Sequence, residues 1–170
     1  MSKPVVAIGA DLLPGPRRER AFTDLTYVAA LRNAGVLPLL LPPQAEDIDD
    51  LIGKIDGIVL AGGADVDPEL YGETRHPSVK PMDARRQASE LALAKRARAA
   101  GIPTLGICLG MQTMAVAAGG KLIQDIPSSF EDALTHTTSE SGSRARHQVR
   151  VEEGTRLAAI LGARTLDVNS

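Results

Sequence analysis

A chain of 170 residues, 44% hydrophobic and 24% charged, can bury the core of one α/β domain, and with 2% aromatic residues and no Trp that core is aliphatic. A formal net charge of -2 without any Lys/Arg block excludes the electrostatic footprint of a nucleic-acid or membrane-surface binder. The single cysteine excludes an internal disulfide and a multi-cysteine metal site, and no apolar run reaches the ~20 residues of a membrane span.

Val5 to Ile8 is an apolar run of buried-strand type, too short for a signal-peptide core and interrupted by Gly9. With the cysteine usage, it leads to the expectation of a soluble cytoplasmic protein. Residues 9–20 are rich in Pro, Gly and Arg and read as a loop, with Arg17, Arg18 and Arg20 offset by Glu19. Thr23 or Asp24 can cap a helix over Leu25 to Asn33, with Leu25, Val28, Ala29 and Arg32 at helical spacing and Gly35 as its stop. Val36 to Leu41 is a second strand, and Pro38 inside it predicts an edge position or a bulge. A short helix over Asp47 to Lys54 and a third strand over Gly57 to Ala61 follow, the latter running into Gly62 and Gly63. In Asp65, Asp67, Pro68 and Glu69 the pattern is that of a helix start, with Asp at the cap and Pro at the first helical position. Asp83 to Ala100 is a long helix stopped by Gly101, on which Arg86 and Glu90 are spaced for a surface ion pair.

Ile102 to Ile107 is a fourth strand, and it leads into the most informative stretch, TLGICLGMQTMAVAAGG (Thr104 to Gly120). Gly106, Cys108 and Gly110 form G-x-C-x-G, the cysteine form of a nucleophile elbow, in which a tight strand-to-helix turn presents the nucleophile. Glycines are needed where strand and helix approach too closely for a side chain. The free N–H groups at the helix start favour an anion at Cys108 and beside it. Gln112 lies one helical turn further on and is either a contact for substrate or a solvent-facing amide. Beyond Gly120 a strand over Lys121 to Ile126, a polar surface loop over 127–146, a strand over His147 to Val151, a helix over Thr155 to Leu161 and a strand over Arg164 to Val168 are expected. His76 and His136 fall in polar loops, where a solvated imidazole is the default.

Strands that are continuous apolar runs and alternate with helices predict a mostly parallel sheet covered on both faces. Ligands of such sheets bind at the carboxyl ends of the strands, where Gly62-Gly63 and the Cys108 turn both fall.

These segments resemble the class I glutamine amidotransferase-like superfamily and, within it, the gamma-glutamyl-gamma-aminobutyrate hydrolase group of cysteine peptidases. The resemblance is carried by AGGADVDPELYGE (Ala61 to Glu73), by Arg86 to Glu90 with LALAKRARAAGIP, and by LGICLGMQ, GGKLIQDIP and HQVRV in that order. It covers nearly the whole chain. Gln87 stands where the pattern has Asp, Leu109 where this group often has Arg and true amidotransferases have Leu, and Ala115 where Asn is frequent.

The resemblance implies a single three-layer, flavodoxin-like α/β domain over residues 1–170. It implies Cys108 as nucleophile, the N–H groups of Gly63 and Leu109 as oxyanion hole, and Gly62 and Gln112 at the substrate. It further implies a gamma-glutamyl amide substrate, such as one from polyamine breakdown, with no cofactor, metal or nucleic acid; a homodimer is compatible with it. Glu90 would support the elbow region. In the family the last strand enters a V-N-S-x-H-H-Q segment whose His is the general base, with an acidic residue further on. The sequence ends at Val168-Asn169-Ser170, so the base, its acidic partner and the final strands are expected outside it. Three readings stay open: a hydrolase of gamma-glutamyl amides, the glutaminase subunit of an amidotransferase, and a catalytically incomplete fragment or binding pseudoenzyme. A fourth, the related cysteine-elbow chaperone/protease family, lacks the Gly62 to Glu73 loop.

Overall fold

The computed structural model describes residues 2–134 and 146–169. Contacts divide the chain into two units, Met1–Asp125 and Ile126–Ser170.

The first unit begins with strand β1 (Val5–Gly9), followed by a hairpin of β2 (Asp11–Leu13) and β3 (Arg20–Phe22), helix α1 (Leu25–Asn33), β4 (Leu37–Leu41), α2 (Ile48–Ile52) and β5 (Gly57–Leu60). A short 3-10 helix (Pro68–Tyr71), the long α3 (Ala84–Ala100), β6 (Thr104–Gly106) and α4 (Leu109–Ala117) complete it. Four strands pair in parallel in the order β4-β1-β5-β6, with Val5 opposite Leu37, Val6 opposite Gly57 and Ile58 opposite Thr104. Counting only the parallel strands along the chain, this is the doubly wound 2-1-3-4 order. Its switch point, the place where sheets of this class bind their ligands, lies between β1 and β5. The central strands are the apolar runs, and β5 is buried at all four positions. Pro38 lies on β4, the edge strand, where its missing N–H breaks no interior ladder. Right-handed crossovers put α1 on one face of the sheet and α2 and α3 on the other, where Ala7, Ile58 and Leu60 meet Ile48, Leu93, Ala94 and Ala97 in an aliphatic core.

Caps fall where short polar side chains and glycines require them. Asp24 accepts from Thr26 N–H, Asp67 from Glu69 N–H and Asp83 from Arg85 N–H, while Gly72 and Gly101 end their helices at positive φ. Asp83 is the strongest case. Hydrogen bonds from the Arg85 side chain and backbone hold its carboxyl at about 2 against an ordinary 3.8. Because the folded-state value is depressed, this stabilisation is present above the ordinary value and is lost as pH falls from about 4 towards about 2. Asp83→Ala is expected to cost about 1 kcal/mol at neutral pH. The gap to the parent, measured by urea unfolding across pH, should close over that same acidic window.

Four expectations for the first unit need correction. The Pro/Gly/Arg-rich segment after Gly9 is not a plain loop, because Asp11–Leu13 and Arg20–Phe22 pair as an antiparallel hairpin. On α1 the half-buried residues are Tyr27, Val28 and Leu31, whereas Leu25, Ala29 and Arg32 are exposed. Tyr27 turns this face inward by placing its hydroxyl against Gly62 N–H at 3.2 Å. Residues 121–125 form no strand: Gln124 donates to Thr74 O and Glu73 Oε2 and accepts from His76 N–H at 2.8 Å, so side-chain bonds to the 73–76 loop replace a ladder. Finally, Arg86 and Glu90 do pair, but in the interior, at 1% and 3% side-chain exposure.

The second unit contains a short helix α5 (Ile126–Ser129), strand β7 (Arg146–Arg150), helix α6 (Arg156–Leu161) capped by Thr155, and strand β8 (Thr165–Asn169). The strands β7 and β8 pair antiparallel, with His147 opposite Val168. Helix α5 replaces the start of the expected 127–146 loop, of which residues 135–145, including His136, lie outside the described residues. Among the described residues no helix is long and apolar enough to cross a membrane.

Candidate active site

Strand β6 continues its pairing by one residue, with Ile107 N–H donating to Leu60 O at 3.0 Å, and then the chain reverses at Cys108. Cys108 has φ 52° and ψ −110° and is the only non-glycine at positive φ among the described residues. A residue held there costs on the order of 1–3 kcal/mol and persists only where its surroundings over-determine it. Those surroundings are the helix start: Cys108 O accepts from Met111 and Gln112 N–H at 3.0 and 3.2 Å, and Gly110 N–H donates to Ile107 O at 3.0 Å. The thiol is exposed.

Both elbow glycines are sterically required. A Cβ on Gly106 would stand 2.6 Å from Gly110 C and Met111 N, and one on Gly110 would stand 2.1 Å from Leu60 O. The helix therefore lies hard against the backbone of β5. That approach sets Leu109, itself buried, beside the Gly62-Gly63 loop: a Cβ on Gly63 would lie 2.8 Å from Leu109 Cδ2. A Cβ on Gly62 would lie 3.8 Å from Cys108 Cβ. Among the described residues neither Gly63 N–H nor Leu109 N–H has an acceptor. Cys108, Gly62, Gly63 and Leu109 are thus brought together, and Gln112 follows on α4, half-buried.

Under the loop lies Arg86, 1% exposed. Its Nε donates to Glu90 Oε1 at 2.8 Å and its Nη2 to Gly62 O at 3.0 Å, with Ala61 O at 3.4 Å. Asp11 Oδ2 is 2.8 Å from Nη1, near enough for an ion pair but not aligned for a hydrogen bond. Burial pushes the Glu90 carboxyl up, and the charge and hydrogen bond of Arg86 offset part of this.

Neighbouring groups serve the fold. Asp67 N–H donates to Gln87 Oε1 at 2.8 Å, so the amide at 87 supplies an acceptor to the loop. Asp65 Oδ2 accepts from Lys80 N–H at 2.7 Å. His76 Nδ1 is 2.7 Å from Ser78 Oγ. No group of three or more His, Cys, Asp and Glu among the described residues is arranged to hold a metal ion.

Sequence reasoning missed Tyr27, which accepts from Gly62 N–H across 35 positions, and Asp11, which reaches Arg86 beneath the loop. For Arg86 and Glu90 a signal existed: they share a helical stripe with Leu93, Ala94 and Ala97, an apolar face on which two charges stand out.

The profile of the peptidase C26 family matches residues 4–170. A Mycobacterium tuberculosis protein provisionally named a glutamine amidotransferase is 37% identical over 141 residues, 80% of this chain and 44% of that protein. Gamma-glutamyl-gamma-aminobutyrate hydrolase PuuD of Escherichia coli (strain K12) is 34% identical over 144 residues, 79% of this chain and 56% of the hydrolase. The chain spans about half the length of these curated relatives. Among solved structures, the glutaminase domain of Trypanosoma brucei CTPS with bound acivicin aligns with 99% of this chain and 66% of that one, at a TM-score of 0.53 and 17% identity; it shares the fold.

Proposed function

The chain belongs to the peptidase C26 family, and on that premise we propose that it carries the nucleophile and oxyanion hole of a hydrolase acting on gamma-glutamyl amide bonds. The observation that carries this reading is Cys108: an exposed thiol at φ 52°, on a turn whose two flanking glycines admit no side chain. Strain of this kind needs a reason, and presenting a nucleophile at the carboxyl end of a parallel sheet is one.

In the proposed reaction Sγ attacks the carbonyl carbon of a gamma-glutamyl amide, forming a C–S bond and placing negative charge on the oxygen. Gly63 and Leu109 N–H, without other acceptors among the described residues, would donate to that oxygen, where charge develops only on the way to the tetrahedral intermediate. Collapse breaks the C–N bond and releases the protonated amine, and water then cleaves the thioester to give glutamate. The proton taken from the thiol and handed to the amine needs a general base, which the resemblance assigns to the His of the V-N-S-x-H-H-Q segment. Gly62 and Gln112 would border the glutamyl group.

A glutaminase reading shares every step and differs only in the amine released. Leu109, in place of the Arg frequent in the hydrolase group, favours it. Incubation of a protein that includes the V-N-S-x-H-H-Q segment with glutamine and with gamma-glutamyl-gamma-aminobutyrate, following glutamate release and the mass of Cys108, decides. Preferential turnover of the substituted amide through a glutamyl thioester is the expected result. A Cys108 that alkylates readily but turns over neither compound would overturn the hydrolase reading in favour of a binding role.

A further inference from the structure

We propose that Arg86 is a positioning residue that locks the Gly62–Gly63 peptide with the Gly63 N–H turned towards Cys108; this deepens the reading of that loop as an oxyanion hole and rests on it. Two consecutive glycines have the cheapest backbone for a peptide flip, since neither carries a Cβ to restrict its dihedral angles. A flip would replace the N–H donor by a carbonyl oxygen, which repels an oxyanion. Something must hold the plane, and the loop lies past the end of β5, beyond the parallel ladder.

The holding group is visible. Among the described residues every peptide is trans. Across a trans peptide the carbonyl oxygen and the following Cα lie on one side, and the N–H and the preceding Cα on the other. Arg86 occupies the first side: Nη2 donates to Gly62 O at 3.0 Å, and a Cβ on Gly63 would meet Nη1 at 2.5 Å. Cys108 is on the second side, its Cβ 3.8 Å from the Cβ position of Gly62. Securing the oxygen therefore sends the Gly63 N–H to the cysteine's side. The adjoining peptide is held through Tyr27 Oη, which accepts from Gly62 N–H at 3.2 Å.

A buried guanidinium is an expensive clamp, and the rest of the cluster explains how it is held. Glu90 Oε1 accepts from Nε at 2.8 Å, and Asp11, just after the switch-point strand β1, brings a carboxylate to 2.8 Å from Nη1. Glu90 is itself fixed between Arg86 and Gly9, where a Cβ would stand 3.1 Å from Oε1. A planar fork can serve the carboxylate and the carbonyl at once, whereas a lysine ammonium acts as a point charge.

The test uses the full chain with Arg86→Lys, and with Arg86→Met combined with Glu90→Leu so that no uncompensated carboxylate is left buried. The first readout is the orientation of the Gly62–Gly63 peptide in crystals of each variant. The second is the rate at which Cys108 reacts with a gamma-glutamyl chloroketone, whose ketone oxygen needs the hole, against iodoacetamide, which does not. In both variants a flipped or mixed peptide is expected. Chloroketone labelling should slow about 10²-fold, the scale of losing one oxyanion donor, with iodoacetamide labelling almost unchanged. A folded double variant with the peptide in its original orientation would overturn the assignment, as would an equal fall in both labelling rates. A parent protein inert to the chloroketone would count against the hydrolase reading instead, and the crystallographic readout would still decide the role of Arg86.

Discussion

Cys108→Gly is expected to make the protein more stable and, on the proposed reading of Cys108 as nucleophile, inactive at once. At φ 52° and ψ −110° the cysteine sits where an L side chain is strained, at a cost on the order of 1–3 kcal/mol. Glycine removes that cost but gives back roughly 0.5–1 kcal/mol through the greater freedom of the unfolded chain. The net expectation is a gain of about 1 kcal/mol. Little packing is lost, because the side chain is exposed. With no Trp in the chain, the shift is best read from far-UV circular dichroism in urea. Cys108→Ala separates the two effects: it removes the thiol, keeps the strained Cβ, and should leave the urea midpoint near that of the parent. On the proposed reading, hydrolysis of a gamma-glutamyl amide by a protein that also carries the general base should fall on the order of 10⁶-fold in both, as when a hydrolase nucleophile is removed. If Cys108→Gly were no more stable than Cys108→Ala, the turn would not be storing strain, and the argument that strain marks the nucleophile would lose its footing.

The parts of the fold that sequence alone revealed are those set by local chemistry. Asp24, Asp83 and Thr155 accept from N–H groups within three residues, so the helix starts were readable. The apolar runs at β1 and β5 announced a parallel interior, and Pro38 announced an edge. Long-range bonding was hidden. Nothing local distinguishes Gln124 as an anchor for residues about fifty positions earlier, and that anchor is why an apparent strand at 121–125 is irregular. Likewise the i,i+4 spacing of Arg86 and Glu90 specifies a pair without specifying depth. Depth comes from the loop that the pair supports, since Gly62 O accepts from Arg86 across 24 positions in sequence. Around the candidate site, the chain's punctuation (Gly62, Gly63, Gly106, Gly110) was legible because glycine marks close approach. Tyr27, which holds that backbone, and Asp11, which reaches the arginine under it, were not, and Arg86 was legible as a charge on an apolar stripe but not as the partner of Gly62 O.

Gly110→Ala is expected to cost the fold more than the same change at any other described glycine. Its Cβ would stand 2.1 Å from Leu60 O, 2.6 Å from Leu60 C and 2.7 Å from Leu60 Cβ. Overpacking of a yielding core usually costs ~1–3 kcal/mol. Here the obstructing atoms include backbone of β5, a central strand buried at every position, so relief would require α4 to move away from the sheet. A loss of more than about 3 kcal/mol is expected, a large share of the ~5–15 kcal/mol that holds a domain together. Gly119→Ala is the matched control. It has φ 89° with nothing within 4 Å of an added Cβ, so it should pay only the left-handed backbone cost of ~1–2 kcal/mol, partly offset by a stiffer unfolded chain. Urea midpoints for the two variants should differ accordingly. Similar midpoints would mean that the helix can slide away from β5 cheaply. That outcome would also undo the proposed oxyanion hole, because the same close approach sets Leu109 beside Gly63. A helix free to shift by an ångström could not hold two donors on one oxygen.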